Sequence, residues 1–269
     1  MRRRSRAYGR RQMTAISVPA PPANAAGDAG ASLFHRVYTR YAGRHPRLRP
    51  WHHQWLAGTP LYAVLRPALA ELRGDVLDVG CGAKPYRDWV PGARRYVGID
   101  VFDGPSVDGL IVPGRPWPVG DAEFDAVLCT QVLEHVPDLE HTVGELARVM
   151  RPGADAIISV PFIFGEHNAP HDYRRLSQHG LRRLLADHDL EVVSIEQQGA
   201  IGSTLGSIFL CWTFDALPRG RRGLLLSAPL LPLWSLLCLT VNVLGAALDR
   251  VDRTGMYYGN LLVRARRPA

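Results

Sequence analysis

The sequence predicts an α/β fold: a doubly wound, mostly parallel sheet of seven strands in a Rossmann-like arrangement, with a helical N-terminal extension and an apolar helical C-terminal insert. Three observations point there. A short apolar run, Val76-Leu77-Asp78-Val79, ends in the turn Gly80-Cys81-Gly82. Glycines there supply positive φ and let the backbone approach a ligand closely. From 76 to 195, strand-like runs alternate with amphipathic stretches, the pattern of a parallel sheet with right-handed crossovers. The uncharged run 224–248 then separates this alternation from one last strand-like segment.

Residues 1–30 are Arg-rich and then Ala/Pro/Gly-rich. That composition has too little apolar surface to order itself, and a disordered tail is expected, with Met13 as an alternative start. Residues 31–72 read as a helical extension. Leu33, Phe34, Val37 and Tyr41 share one side of a first short helix. A second helical stretch, 52–72, should be interrupted at Pro60 and Pro67. Its Trp51, Trp55, Leu61, Leu65 and Leu69 would pack over the next unit.

That unit, 73–200, should hold strands at 76–79, 96–100, 109–112, Phe124–Thr130, 156–160 and 190–195. Between them a short helix is predicted at 84–90, stopped by Pro91-Gly92. An amphipathic helix at 139–150 should be stopped by Arg151-Pro152-Gly153, and another lies at 180–186 with Ser177 near its start. Residues 201–255 form the apolar insert, and 256–269 carry the final strand, 256–263, back to the sheet.

The 269 residues, 46% hydrophobic, suffice for one substantial domain with appendages. The formal charge of +7 is nearly accounted for by Arg2, Arg3, Arg4, Arg6, Arg10 and Arg11. The folded part is therefore close to neutral, which argues against a basic face for nucleic acid. Cys81, Cys129, Cys211 and Cys238 lie far apart with no CxxC pair, as expected of a reduced, cytoplasmic protein without a disulfide framework or a zinc site. The residues before Met13 lack the apolar core and cleavage site of a signal peptide.

A dinucleotide turn needs a third glycine five residues after the first. That position is Pro85, which argues against a nicotinamide cofactor. The D-x-G-x-G turn from Asp78 suits a cofactor without phosphates. Asp78 can hold an ammonium group, and Asp100, ending the next strand, can accept both hydroxyls of a ribose.

Four motifs follow one another along the chain, VLDVGCGAKPY from Val76, YVGID from Tyr96, FDAVLCTQVLEHV from Phe124 and RPGADAIISVPF from Arg151, with MYYGNLLVRARRP closing the series. In this order and spacing the chain resembles the class I S-adenosylmethionine-dependent methyltransferases, in particular the methyltransferase type 11 group. The resemblance runs from Asp75 to the C-terminus, apart from the apolar insert. It implies S-adenosyl-L-methionine as cofactor, with Asp78, Gly80, Cys81 and Gly82 at the methionyl part, Asp100 at the ribose, and Thr130 and Gln131 facing the cofactor. One departure is visible: the family usually places an acid near the adenine amine. Here the aligned position is about Pro113, and Asp108 is the nearest acid.

The loop 161–175 gathers His167, His171, Asp172 and Tyr173 beyond a strand, at the carboxyl edge where ligands bind. His167, Pro170, Asp172 and Arg175 resemble the H-x-x-P-x-D-x-x-R loop of methyltransferases that accompany cell-surface glycan enzymes. His167, Asp172 and His135 are the candidate catalytic residues, since a hydroxyl acceptor must lose a proton. The alternative is that His167 and Asp172 bond the loop backbone and hold it shut. His167 and His171 stand at metal-ligand spacing for a helix, but Pro170 between them disfavours one, and no metal is expected.

For 224–248 three placements compete. One is a hairpin on a membrane surface, aided by Arg219, Arg221 and Arg222. The others are a buried cap or dimer surface, and a full span, which the returning final strand opposes. The expected protein is cytoplasmic, peripheral on the inner face of the cell membrane, and methylates an oxygen of a small-molecule, sugar or lipid-linked glycan acceptor. The rival is a non-catalytic binding or membrane-scaffold protein of the same fold.

Overall fold

A computed structural model describes residues 33–216 and 230–269. The predicted tail 1–30 and the start of the 224–248 run lie outside the described residues. The chain opens with α1 (Leu33–Ala42), a two-stranded hairpin of β1 (Gly43–Arg44) and β2 (Arg47–Leu48), and α2 (Trp55–Ala70). The hairpin lies between the two helices expected of this extension.

Seven strands then form one sheet. They are β3 (Arg73–Val79), β4 (Gly92–Asp100), β5 (Gly109–Leu110), β6 (Phe124–Thr130), β7 (Met150–Pro161), β8 (Glu191–Gln198) and β9 (Asn260–Arg266). Their spatial order is β5-β4-β3-β6-β7-β9-β8. The first five are parallel, and β9 lies antiparallel between β7 and β8. The final strand thus starts at Asn260, not at 256.

Successive side chains of a strand point to opposite faces, and each face has its own core. Val76, Ala126, Leu128, Ile157 and Leu262 meet Leu61, Leu65 and Leu69 of α2 on one side. Leu77, Val79, Val127 and Cys129 meet α3 (Leu139–Val149) and α4 (Gln178–Ala186) on the other, through Val143, Leu146, Leu181 and Leu185. Asp138 caps α3 by accepting from the amide of His141 (3.0 Å), and Ser177 caps α4 by accepting from that of Gly180 (3.2 Å).

Three local expectations are corrected. First, α2 runs unbroken through Pro60 and Pro67. Each mid-helix proline costs about 3 kcal/mol. Burying Leu56, Leu61, Leu65 and Leu69 returns roughly 1.5–3 kcal/mol apiece, enough to hold the helix on the sheet. Second, the helix predicted at 84–90 is only a 3-10 turn, Arg87–Trp89, because Pro85 and Pro91 leave no room for a full ladder. Third, α3 passes directly into β7, so Arg151-Pro152-Gly153 lies at the start of a strand, with Gly153 at φ +80°.

Between β8 and β9 the chain leaves the sheet as α5 (Ile201–Asp215) and comes back as α6 (Leu231–Asp249). The two helices are antiparallel: Gly202 lies against Gly245, and Phe214 stacks toward Trp234. A Cβ on Gly202 would overlap the carbonyl of Gly245, so only glycine permits this approach. Asn242 in α6 donates to the carbonyls of Pro50 (2.7 Å) and His52 (3.0 Å), tying the hairpin to the N-terminal extension. The outer face is apolar and bare. Trp212 and Leu233 are each 66% exposed, and Leu236, Val243 and Leu244 stand out beside them. Among the described residues, α6 is the one helix long and apolar enough to cross a membrane.

Candidate active site

Strands β3, β4, β6 and β7 all end at the same edge of the sheet, and the functional side chains cluster there. At the end of β3, Asp78 is 2% exposed and accepts a hydrogen bond from the Tyr96 hydroxyl (2.7 Å). Burial raises its pKa to about 7, against the opposing pull of Tyr96 and Lys84. The chain then turns through Gly80 (φ +67°) and Gly82 (φ +48°). The amides of Gly80 and Cys81 donate to the Ile99 carbonyl (2.8 and 3.2 Å), locking the turn onto β4.

Asp100, at the end of β4, accepts from the Gly82 amide (2.9 Å) and the Phe102 amide (3.0 Å), one on each oxygen. Its carboxylate is thereby fixed in orientation, and each oxygen keeps a lone pair for a ligand. The two glycines do different work. A Cβ on Gly80 would run into Val132, whereas one on Gly82 would meet nothing within 4 Å. Open space beside Gly82, with Asp78 and Asp100 on either side, fits the methionyl and ribose parts of S-adenosylmethionine. Its ammonium would supply the cation that the buried Asp78 lacks.

Cys81 departs from expectation. Its side chain is 2% exposed and turned against Gly98, so only its backbone can line the cradle. Burial pushes its thiol up to about 12. Asp108 is engaged too, accepting from Lys84 Nζ (2.6 Å) and the Gly98 amide (2.7 Å). It braces β4 and is not a free acid for adenine.

Thr130 closes β6. Gln131 follows at φ +55°, held by its amide on the Ser159 carbonyl (2.8 Å) and by its side chain on Ser159 Oγ (3.2 Å). A non-glycine residue in this region stores strain that the surroundings must hold. The 3-10 turn Leu133–His135 comes next. Here Glu134 is 1% exposed, and neither carboxylate oxygen accepts a hydrogen bond. Burial raises its pKa to about 8.

Loop 161–175 folds back over this turn, its Tyr173 amide on the Glu134 carbonyl (2.9 Å). His135 and His167, thirty-two residues apart in sequence, bring their rings to 4.8 Å, edge to face. Asp172 is buried and takes a bidentate pair from Arg175, which holds its pKa down to about 2. It also accepts from the His167 amide (2.9 Å) and lies 3.3 Å from His167 Nδ1. Asp172 is therefore a positioning residue that acts through His167. His171 turns away, its Nδ1 to the Tyr173 hydroxyl (3.2 Å). Tyr96 as partner of Asp78, and Glu134 beside His135, were missed from sequence. An acid next to a histidine just beyond the apolar run 126–129 was the available signal for the second. Beyond Phe164 a small hollow, with room for about one water molecule, lies between the loop and α5, lined by Leu56, Ser203, Thr204, Ser207 and Asn260.

A seven-stranded sheet with an antiparallel β9 and this carboxyl-edge cradle define a class I S-adenosylmethionine-dependent methyltransferase architecture. The chain belongs to the family described as a methyltransferase domain, whose match spans residues 45–195, over half of the sequence. It is 38% identical over 101 residues to a ubiquinone biosynthesis O-methyltransferase of Hahella chejuensis, covering 31% of this chain and 42% of that one. It is 36% identical over 93 residues to a protein of the same name from Thiobacillus denitrificans, covering 29% and 40%. The chain thus spans about two fifths of the length of the curated relatives it matches. Among solved structures, a Burkholderia thailandensis 1,6-didemethyltoxoflavin-N1-methyltransferase aligns over 87% of this chain and 86% of its own at 17% identity, with a TM-score of 0.47. At that level of likeness, site roles rest on this chain's own residues.

Proposed function

We propose that the protein transfers the methyl group of S-adenosylmethionine to an oxygen of a sugar or lipid-linked acceptor presented at the cytoplasmic face of a membrane. The observation that carries the reading is the cradle itself: two buried carboxylates, Asp78 and Asp100, flanking a glycine whose Cβ position is open.

Methyl transfer from a sulfonium is an in-line displacement. The acceptor oxygen forms a bond to the methyl carbon, the C–S pair returns to sulfur, and the positive charge there disappears. Much of the rate comes from holding the acceptor in line. A hydroxyl acceptor must also give up its proton. His135 and His167 stand at the same edge to receive it, His167 oriented by Asp172.

An oxygen acceptor is supported by the names of the relatives, which are O-methyltransferases. A lipid-linked acceptor is supported by the bare apolar face of α5 and α6. Calorimetry with S-adenosylmethionine and S-adenosylhomocysteine tests the cofactor half. Wild type should bind both, and Asp100→Ala neither. If wild type binds neither, the non-catalytic scaffold is the better reading.

A further inference from the structure

Glu134, His135 and His167 form a cluster that methyl transfer from a sulfonium does not require. One ligand atom from each lies within 4.8 Å of the other two. The Glu134 carboxylate is buried without a hydrogen-bond partner on either oxygen, an expensive arrangement unless a cation or proton completes it. Its Oε1 stands 3.6 Å from His135 Nε2.

Both imidazoles are set up by neighbours. His135 Nδ1 lies 2.8 Å from the carbonyl of His171. A carbonyl only accepts, so Nδ1 carries the hydrogen and Nε2 keeps its lone pair. His167 Nδ1 faces two acceptors, the Gly165 carbonyl (3.2 Å) and the Asp172 carboxylate (3.3 Å), so its Nε2 keeps a lone pair too. The Asn168 side-chain amide, 3.5 Å from His135 Nε2, is the group a cation would displace there. A histidine whose far nitrogen is held by a carbonyl or a carboxylate is the usual support of a metal ligand.

We propose that Glu134, His135 and His167 bind one divalent transition cation through a carboxylate oxygen and two Nε2 atoms. Two imidazoles and a carboxylate suit zinc and its neighbours, not magnesium or calcium, which prefer all-oxygen sites. In a tetrahedral zinc site, ligand atoms stand about 3.3 Å apart. The cluster reaches that by a rotamer adjustment, since its widest separation is 4.8 Å. Three protein ligands leave one tetrahedral position for a water or an acceptor oxygen. A cation there would acidify an acceptor hydroxyl at neutral pH and stand in for a free base. That role rests on the methyl-transfer reading; the binding itself does not.

Tag-free protein, stripped with chelator, is titrated with Co²⁺ without S-adenosylmethionine and followed by its visible ligand-field absorption and by equilibrium dialysis. One Co²⁺ per chain is expected, displaced by Zn²⁺. His135→Ala and His167→Ala should each weaken binding at least tenfold, and Glu134→Gln should weaken it while keeping the fold. His171→Ala should bind as wild type, because His171 contributes only its carbonyl. Circular dichroism and cofactor binding confirm that each variant is folded. No saturable Co²⁺ binding by wild type overturns the proposal, as does unchanged binding in folded His135→Ala and His167→Ala. Loss in His171→Ala would move the site elsewhere in the loop and equally overturn it.

Discussion

Gly80 and Gly82 make the sharpest test of the cradle, because the same substitution should act on different quantities at the two positions. Both have positive φ, +67° and +48°, so alanine at either strains the backbone by about 1 kcal/mol. At Gly80 the new methyl also falls well inside van der Waals contact with Val132 Cγ2, whereas at Gly82 it meets nothing within 4 Å. Overpacking adds roughly 1–3 kcal/mol. Gly80→Ala should therefore cost about 2–4 kcal/mol and lower Tm by roughly 4–16 °C for a domain of this size. Gly82→Ala should lower Tm by only a few degrees, yet weaken S-adenosylmethionine binding at least tenfold, because its methyl enters the cofactor's space. Calorimetric unfolding and titration read the two separately. Adding Val132→Ala to Gly80→Ala removes the colliding methyls and should recover most of the lost stability. The reasoning fails if Gly80→Ala melts with wild type, if Val132→Ala recovers nothing, or if Gly82→Ala binds cofactor normally.

Asp78, with its pKa raised to about 7, binds a proton in the folded state that the unfolded chain releases near pH 4. Apo stability should therefore fall as pH rises from about 4 to about 7. An ammonium partner favours the ionised form, so cofactor affinity should rise with pH up to about 7, at most tenfold per unit. Asp78→Asn should remove that dependence and the proton release seen by titration in buffers of different ionisation enthalpy. Arg175→Met leaves the buried Asp172 carboxylate unpaired and should cost about 3 kcal/mol in denaturant unfolding. With Arg175 intact, the depressed pKa of Asp172 (about 2) stabilises the fold above about pH 4, and this contribution should fade as pH drops toward 2. Trp212→Glu with Leu236→Glu alters only exposed side chains, 66% and 59% accessible. The pair should leave Tm within about 1 °C while abolishing sedimentation with anionic liposomes. If the wild-type protein ignores such liposomes, the membrane reading is lost.

The strands were legible because a parallel strand buried on both faces reads as a short continuous apolar run closed by turn residues. Val76 and Leu77 point to opposite cores, as their period predicts. The Ser177 cap was equally local. What misled was local propensity where packing decides: Pro60 and Pro67 break a helix on paper but not one fastened to the sheet by Leu61, Leu65 and Leu69. At the site, Asp78 and Asp100 could be placed because each ends a strand beside the glycine turn. The meeting of Glu134 and His135 with His167 could not, because it depends on how loop 161–175 folds back. The burial of the Cys81 thiol beneath its own turn is likewise a tertiary fact.

The position of β9 bears on how the protein is made. Among the described residues, β8 pairs with no strand but β9, and β9 is synthesised last of the seven. Until Arg266 has left the ribosome, β8 has no partner and the sheet ends at β7. The apolar hairpin of α5 and α6 emerges in that interval, before the domain beneath it can close. A nascent chain in this state offers its greasiest surface to the cell while the sheet still lacks its closing strand, so a lipid bilayer or a chaperone has the first opportunity to take the hairpin.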